Sequence, residues 1–544
     1  MVTASVNNGS TARADAAPRR PVTAAAAKSR ERVLFEALQP DPQDSIPASS
    51  LAAALEAAGL RLDDPRLADT RRALRSVATE HEIPDRLDFA EFGRVIKPSI
   101  LIIEQALQRR LAIPEFGQFA AELQRIFDSA AADRSGKVAD YIPQLGRVNP
   151  EQFGVAFCTI DGQRVSLGDA AVPFCLQSTS KPITYCIALE ERGEDVVHRH
   201  VGCEPSGQSF NELTLNKQGR PHNPLINAGA IMAGSLIRPG ADMADRFDHV
   251  LEMWQRLAGG ARPGFSNPTY LSERRTADRN FALGYFMREK GAFPEGTDLV
   301  ETLEFYFQCC SLELTAESLS VVAATLANGG VCPVTGDRVF QADTVQKCLS
   351  LMSSCGMYDF SGEWAFRIGL PAKSGVSGAV MVVVPNVLGF CTWSPRLDQI
   401  GNSVRGIAFC RELVRTFSFH HYDSVGGGHG RKDPRQKRDQ GRRSLTVDLY
   451  WAASEGDLDG IRRLVVSGVD VDEPDYDGRT ALHLAASEGQ SHVVAYLLTQ
   501  GVTATPVDRW GNTPADDARR GTHTAVVELL DGANGPAKAA RRSV

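Results

Sequence analysis

The stretch Gln177–Pro182, QSTSKP, places Ser178 three residues before Lys181. On a helix this spacing brings the two side chains to one face, within reach of each other. A serine hydroxyl becomes a nucleophile when a neighbouring base takes its proton, and a partly desolvated lysine amine can be that base. The stretch therefore predicts serine–lysine acyl chemistry at the start of a helix with Pro182 in its first turn. The same spacing also arises by chance on solvated surfaces, so a second element is needed.

That second element is Lys373–Gly375, KSG. It resembles the K-T-G box that accompanies S-x-x-K in penicillin-binding and β-lactamase-type acyl enzymes. Two apolar runs follow it, Ala379–Val384 and Val387–Trp393, separated by Pro385–Asn386. They predict a hairpin whose first strand begins at the box. A transmembrane span is the competing interpretation, but each uninterrupted run is shorter than the roughly 20 residues that a span requires.

A second hairpin is predicted at Val155–Ile160 and Arg164–Leu167, with its turn at Asp161–Gly162. A short apolar strand, Val172–Leu176, leads into the serine–lysine motif. Strands on either side of a helix that carries the nucleophile predict an antiparallel α/β core.

Seven blocks of the sequence resemble the serine-dependent glutaminases, and among them the long animal kidney- and liver-type form. The blocks occur in the order in which that family has them. The blocks are Gly136–Leu145, Val172–Pro182, Glu204–Gly207, Pro221–Ile231, Asp278–Ala282, Phe293–Asp298 and Ser354–Gly362. The resemblance implies a multidomain protein whose core has the β-lactamase/penicillin-binding-like fold, an antiparallel sheet flanked by helices with a helical subdomain. It also implies an enzyme that hydrolyses L-glutamine to L-glutamate and ammonia through a serine–lysine acyl-enzyme.

The resemblance also implies roles for individual residues. Ser178 is expected to be the nucleophile, Lys181 its general base and Tyr358 an assistant in proton transfer. The backbone N–H groups of Ser178 and Val376 are expected to hold the oxyanion. The remaining substrate-binding residues implied by the family are Tyr141, Asn227, Glu273, Asn280 and Tyr306.

These substrate residues suit a free amino acid chemically. Glu273 can pair with an ammonium group, and amides and tyrosine hydroxyls can orient a carboxylate and a carboxamide. Without the resemblance each has an ordinary structural interpretation. Asparagines usually cap turns, a glutamate followed by two arginines is usually a solvated ion pair, and Tyr306 in an apolar run is usually core.

Composition predicts no metal and no other cofactor. The 11 histidines form no H-E-x-x-H pattern and the 11 cysteines form no C-x-x-C pair. Unpaired cysteines are typical of a reducing compartment. The formal net charge of −7 gives no indication of a nucleic-acid partner, and no apolar run predicts a membrane partner.

Composition and periodicity divide the chain into six segments. Five helical stretches between residues 32 and 110 resemble the EF-hand-like domain of the long glutaminases, and no D-x-[DN]-x-[DN]-G loop predicts calcium binding there. The predicted segments are a disordered tail (1–30), an EF-hand-like helical domain without calcium (31–127), a catalytic domain (128–425), a flexible basic linker (426–444), ankyrin repeats (445–533) and a disordered tail (534–544).

The C-terminal region contains an internal repeat. The sequence AASEG at Ala452–Gly456 recurs at Ala485–Gly489, an offset of 33 residues, and Thr480 and Thr513 share that offset. A period of 33 and the segment Thr480–Ala485, TALHLA, are typical of ankyrin repeats. We expect this region to bind a protein partner or to pack on the rest of the chain.

Compartment and assembly are predicted with named alternatives. The first thirty residues are basic and poor in acids but lack a clear amphipathic helix, so we predict a cytoplasmic protein, with mitochondrial import as the alternative.

The resemblance implies a homotetramer built from two dimers, with filaments as a further state. Thr214 and Phe286 replace aromatic and tyrosine positions of the kidney enzyme, so phosphate activation does not follow.

Two other classes compete with a glutaminase. A penicillin-recognising acyl enzyme would need an open cleft and usually a secreted chain. An ankyrin scaffold with a decayed enzyme would be expected to have lost its nucleophile or base, whereas Ser178 and Lys181 are both present.

Overall fold

The structure is a computed structural model that describes residues 29–76, 86–207, 212–426, 431–435, 438–466 and 469–533. The C-terminal tail and residues 1–28 of the N-terminal tail lie outside the described residues, as does Gln208–Asn211 of the loop that carries Thr214. The predicted N-terminal tail is two residues too long. Ser29 accepts a hydrogen bond from the N–H of Arg32, which caps a helix that begins at Arg30.

The N-terminal region folds as predicted from its helical periodicity. Its helices and strands are α1 (Arg30–Ala37), β1 (Ser45–Pro47), α2 (Ala48–Ala57), α3 (Ala68–Ser76), β2 (Arg86–Asp88), α4 (Phe89–Ile96) and α5 (Ile100–Leu107). Strands β1 and β2 pair antiparallel with Ile46 opposite Leu87, which joins the two halves of the domain. Asp88 and Glu91 cap α4 reciprocally.

The remaining strands form two antiparallel sheets. They are β3 (Gly154–Thr159), β4 (Arg164–Gly168), β5 (Phe174–Cys175), β6 (Gly264–Phe265), β7 (Leu312–Leu314), β8 (Ala372–Ser374), β9 (Ala379–Val384) and β10 (Leu388–Trp393). The central sheet has the order β4-β3-β10-β9-β8, and a small sheet has the order β5-β7-β6. Both predicted hairpins, β3–β4 and β9–β10, are present.

The position of the KSG box differs from the prediction. Lys373 and Ser374 lie in a separate edge strand, β8, which pairs with β9 after a turn at Gly375–Gly378. This turn requires glycine at position 378, because the residue has φ of +93° and a Cβ there would lie 2.1 Å from the carbonyl oxygen of Ser394. The box therefore ends one strand and does not begin the next.

Helices cover both faces of the central sheet. They are α6 (Phe116–Ala131), α7 (Pro143–Gly146), α8 (Lys181–Arg192), α9 (Glu194–His200), α10 (Asn227–Ser235), α11 (Met243–Leu257), α12 (Asn267–Arg275), α13 (Asp278–Glu289), α14 (Leu299–Cys310), α15 (Ala316–Ala327), α16 (Ala342–Cys355), α17 (Ser361–Arg367) and α18 (Val404–Thr416). One face packs on α15 and the helical subdomain, and the opposite face packs on α6 and α18.

Helix α6 corrects the predicted boundary at residue 127. Its buried residues Phe119 and Leu123 belong to the same cluster as Phe157 and Phe390 of the sheet, with Phe119 and Phe157 in edge-to-face contact at 5.9 Å. The core of the N-terminal domain itself ends at Leu111. An amphipathic helix does not indicate in its sequence which partner it covers, and here the partner is the catalytic core.

The described parts of the predicted linker 426–444, residues 431–435 and 438–444, are more ordered than its composition indicates. The main chain of Lys432 hydrogen-bonds to Thr416 and Ser418 at 3.0 Å each, which binds this part of the segment to the end of α18. From Arg438 onward the chain is helical. Glycines and basic residues predicted a solvated linker, but main-chain pairing does not depend on side-chain type.

The C-terminal helices form three successive antiparallel pairs around one core, as the 33-residue period predicts. The helices are α19 (Arg438–Glu455), α20 (Leu458–Val466), α21 (Ala481–Ser487), α22 (Ser491–Thr499), α23 (Pro514–Arg520) and α24 (Thr524–Ala533). Thr480 and Thr513 occupy equivalent capping positions before α21 and α23. Within the described ranges, no helix combines the length and apolarity that crossing a membrane requires.

Candidate active site

Ser178 lies in a short 3₁₀ turn, Gln177–Ser180, that leads directly into α8 at Lys181. The N–H of Leu176 donates to the carbonyl of Leu312 at 2.7 Å, which anchors the chain just before the turn. Gln177 has φ of +51°, a conformation that a non-glycine residue adopts at an energetic cost. The predicted first-turn position of Pro182 is confirmed.

Lys181 is buried, with 1% of its surface exposed, and its partner is a neutral amide. Its Nζ donates to Oδ1 of Asn227 at 2.6 Å, and Nδ2 of Asn227 donates to Oδ1 of Asn280 at 3.0 Å. Burial lowers the pKa of Lys181 to about 8, an effect that the thiol of Cys310 opposes. At pH 7 about a tenth of the amine is therefore neutral and able to accept a proton, far more than for an ordinary lysine.

Tyr358 approaches Ser178 from a different part of the chain. It begins the 3₁₀ turn Tyr358–Phe360, is buried, and has φ of +53°. Its hydroxyl lies beside the Ser178 side chain, which lowers the pKa of the phenol, while burial, the larger effect, raises it. The tyrosine is therefore neutral and can pass a proton to or from Ser178.

The turn after the KSG box packs against the turn that carries Ser178. A Cβ at Gly375 would lie 3.0 Å from the carbonyl oxygen of Leu176 and 3.2 Å from Cγ2 of Thr179. Val376 follows in this turn, and a Cβ at Gly401 would contact Tyr358 and Val376 at 3.8 and 3.9 Å. Val376 therefore directly follows the residue that packs against the Ser178 turn.

Glu273, Tyr141 and Gln177 form a second group of polar side chains. The Tyr141 hydroxyl donates to Oε1 of Glu273 at 2.6 Å, and Nε2 of Gln177 donates to the same oxygen at 3.1 Å. Burial raises the pKa of Glu273, while these two hydrogen bonds lower it. The carboxylate is desolvated and held by neutral donors, a setting in which a substrate ammonium would be a strongly favoured partner.

Tyr306 closes the pocket from α14. It is buried, burial raises the pKa of its hydroxyl, and the neighbouring thiol of Cys310 raises that pKa further. The fields of Glu273 and Tyr141 also reach this hydroxyl. The nine predicted residues come from seven separate parts of the chain, at 141, 178–181, 227, 273–280, 306, 358 and 376, and the fold brings these parts together.

Among known protein families, a glutaminase family model matches residues 136–422. The liver isoform of glutaminase from Rattus norvegicus, named as mitochondrial, is 48% identical over 490 residues, which cover 90% of this chain and 81% of the relative. The chain belongs to the glutaminase family. It is therefore an enzyme that hydrolyses glutamine.

The similarity extends beyond the glutaminase domain. A putative glutaminase 2 from Caenorhabditis elegans is 46% identical over 514 residues, covering 92% of this chain and 85% of the relative. An EF-hand domain model matches residues 30–114, and a model of three ankyrin repeats matches residues 449–539. This glutaminase therefore carries an EF-hand domain before its core and ankyrin repeats after it.

Solved glutaminases resemble the core. The probable glutaminase YbaS superposes with a TM-score of 0.53 at 38% identity, covering 55% of this chain and 98% of its own. The probable glutaminase from Bacillus subtilis, solved with 6-diazo-5-oxo-L-norleucine, superposes with a TM-score of 0.50 at 32% identity, covering 56% and 96%. The mixed helix-and-sheet fold predicted for the core of this glutaminase is confirmed.

Sequence reasoning missed three side chains of the glutaminase pocket. Gln177 binds Glu273, Cys310 raises the pKa of Tyr306, and Lys373 lies with its Nζ 4.6 Å from the centre of the Tyr358 ring. Gln177 and Lys373 stand inside the two motifs that the sequence singled out, and that adjacency was the available signal. Among the described residues, no group of three His, Cys, Asp or Glu side chains is arranged to hold a metal ion.

Proposed function

We propose that this glutaminase cleaves L-glutamine through an acyl-enzyme on Ser178. Lys181 takes the Ser178 proton, and the alkoxide attacks the carboxamide carbon of the substrate. The N–H groups of Ser178 and Val376 bind the oxyanion of the tetrahedral intermediate. The C–N bond then breaks, and ammonia leaves with a proton delivered by Lys181 or Tyr358.

Water completes the cycle. It loses a proton to Lys181 as it attacks the glutamyl ester, and the ester bond to Ser178 breaks to give L-glutamate and the free hydroxyl. The observation that carries this proposal is the buried Lys181 amine, which has an amide oxygen as its partner and a pKa lowered to about 8. A lysine held by a carboxylate would stay protonated and could not act as a base.

Substrate recognition follows from the partners available in the pocket. Glu273 would bind the α-ammonium group of glutamine and exchange the Tyr141 and Gln177 hydrogen bonds for a charge-assisted one. Asn227, Asn280 and the Tyr306 hydroxyl supply the groups that orient the α-carboxylate and the carboxamide. This set supports a free amino acid as substrate in preference to the peptide chains of a penicillin-binding enzyme.

The test is ammonia and glutamate release from L-glutamine by the purified protein, beside Ser178→Ala and with L-asparagine as the alternative substrate. We expect turnover of glutamine, loss of at least about a thousandfold in Ser178→Ala, and little reaction with asparagine, which is shorter by one methylene. Turnover that survives in Ser178→Ala would refute the acyl-enzyme mechanism. Penicillin labelling of Ser178 without glutamine turnover would favour the alternative enzyme class.

We also propose a homotetramer, ankyrin repeats that bind a protein partner, and a cytoplasmic location. Helical pairs stacked around one core at α19–α24 support the second of these, because such arrays present extended binding surfaces. The rat and mouse relatives are named as mitochondrial, so import remains the alternative location. Light scattering that gives a monomer mass would refute the tetramer, and fractionation of cells that express the tagged protein tests the location.

A further inference from the structure

Lys373 is completely buried, and the mechanism above gives it no role. Its exposed fraction is 0%, and its Nζ donates to the carbonyl oxygens of Gly356 at 3.1 Å and Ser374 at 2.7 Å. Burial and the charge of Lys181 lower the pKa of Lys373 well below its ordinary value. Burying an amine is unfavourable, and an aliphatic side chain would fill the same volume at lower cost.

The two carbonyls that bind this amine belong to two different walls of the pocket. Gly356 lies two residues before Tyr358, and Ser374 lies two residues before Val376. The two segments are in direct contact, because the N–H of Ser374 also donates to the carbonyl of Gly356 at 3.1 Å. The amine of Lys373 therefore connects, through two hydrogen bonds, the segment before Tyr358 with strand β8, which leads to Val376.

The same amine also contacts the tyrosine itself. Its Nζ lies over the face of the Tyr358 ring, 4.6 Å from the ring centre. Tyr358 has φ of +53°, which is unfavourable for an aromatic residue and persists only where its surroundings hold it. Ser361 contributes from one side, since its hydroxyl binds the N–H of Met357 and the carbonyl of Tyr358.

We propose that Lys373 is a positioning residue that holds the Tyr358 hydroxyl against Ser178. This inference rests on the proposed function, since it assigns Lys373 a part in the proton transfer that Tyr358 performs. A displacement of about 1 Å in a reacting group can reduce a rate by about a hundredfold. The gain in rate from a fixed tyrosine can therefore offset the free energy lost by burying the amine.

The first test is Lys373→Met, which keeps the length of the side chain and removes the amine. We expect kcat to fall by about a hundredfold while KM changes by less than about threefold. The matched control is Trp364→Phe, which removes a buried hydrogen bond from Nε1 to the carbonyl of Leu370 at 2.6 Å in the neighbouring helix α17. The control is expected to lower the melting temperature and to leave kcat unchanged.

A double-mutant cycle separates positioning from general damage. In a Tyr358→Phe background, Lys373→Met should cost less than about threefold in kcat, because the hydroxyl that it positions is already absent. A cost equal to that in the wild-type background would overturn the proposal. A wild-type-like kcat in Lys373→Met would overturn it as well.

A readout that needs no turnover keeps this proposal separate from the proposed function. With 3-fluorotyrosine incorporated at the 10 tyrosines, the ¹⁹F resonance of Tyr358 is the one missing in Tyr358→Phe. We expect Lys373→Met to shift that resonance and Trp364→Phe to leave it in place. An unmoved resonance would refute the positioning role, whereas absence of wild-type glutamine turnover would refute only the proposed function.

Discussion

Charged side chains have opposite kinds of partners in the N-terminal domain and in the active-site pocket. In the N-terminal domain, carboxylates meet guanidinium groups. Asp44 receives two hydrogen bonds from Arg32 at 2.6 and 2.8 Å, and the buried Asp64 receives them from Arg66 and, across the domain boundary, from Arg164. Bonds from Arg32 hold the pKa of Asp44 below its usual value, so this group stays charged.

In the pocket, buried ionisable groups are held by neutral ones. Lys181 donates to an amide oxygen, Lys373 donates to two backbone carbonyls, and Glu273 accepts from a hydroxyl and an amide. Each pKa is displaced toward the uncharged form, downward for the two lysines and upward for the carboxyl group.

The difference separates groups that stabilise the fold from groups that react. The ion pairs of Asp64 with Arg66 and Arg164 join two domains. A lysine that is desolvated beside a neutral partner can gain and lose its proton near neutral pH. A pKa lowered from 10.5 to about 8 corresponds to roughly 3 kcal/mol of lost stability below pH 8.

The largest expected effect is that of Lys181→Met. Activity should fall at least about a thousandfold because the general base is lost. Stability at pH 7 should rise by about 1–3 kcal/mol, because the protonated amine is disfavoured in the folded state and Met is not. Glutamine turnover and urea unfolding measure the two quantities.

The expected gain in stability has a defined pH dependence. The cost of the buried lysine is fully present below pH 8 and fades as pH rises from about 8 toward 10.5, where both folded and unfolded states hold the neutral amine. The exposed Lys217→Met is the matched control and should change neither quantity. A variant of Lys181 that is less stable than wild type at pH 7 would contradict the comparison.

Glu273→Gln should have the next largest effect. Removing the charge while keeping the shape should raise KM for glutamine by about 10- to 100-fold, since a charge-assisted hydrogen bond to the substrate ammonium is lost. The matched control is Glu304→Gln, whose carboxylate forms an exposed pair with Arg274 at 2.9 Å. Steady-state kinetics that show the same KM in both variants would rule out the assigned role of Glu273.

The dependence of kcat/KM on pH should show a smaller effect, an increase with pH. Because Lys181 must be neutral to accept a proton, kcat/KM should rise about tenfold per pH unit up to about 8 and then level off. Initial rates across pH 6–9.5, with unfolding monitored at each pH, measure this. A profile that is flat between pH 6 and 9 would show that no lysine with a lowered pKa controls the reaction.

Asp44→Asn should have the smallest effect. The pair with Arg32 is exposed to water, and such pairs contribute little to stability. We expect kcat and KM to be unchanged and the melting temperature to fall by less than about 3 °C, with the difference shrinking in high salt. A loss of activity would mean that the N-terminal charges act on the pocket.

The hairpins and the ankyrin repeats could be predicted because their signals are local. The run Ala379–Val384, a break at Pro385–Asn386 and a second apolar run are enough to specify β9 and β10. The edge strand at Lys373–Ser374 was missed because its end depends on a contact between Gly378 and Ser394. That contact lies across the open end of the β9–β10 hairpin, so the residues around the box do not indicate it.

The residues of the pocket likewise differ in whether the sequence could predict them. The serine–lysine spacing indicated Ser178 and Lys181, and the family resemblance implied the other seven of the nine predicted residues, including Glu273. Gln177 acts by reaching a glutamate 96 residues away from a backbone with positive φ, and Lys373 acts through two carbonyls and a ring. For roles that operate through another residue, the only sequence signal here was the position of Gln177 and Lys373 inside the two motifs.

The most direct test of the comparison is an NMR titration of Lys181 in protein labelled with ¹³C at the lysine Cε positions. The resonance of Lys181 is the one that disappears in Lys181→Met, and Lys217 serves as the exposed reference. The account predicts a midpoint near pH 8 for Lys181, against the ordinary lysine value near 10.4. A midpoint above 10 for Lys181 would contradict the claim that a neutral partner and burial make it a base.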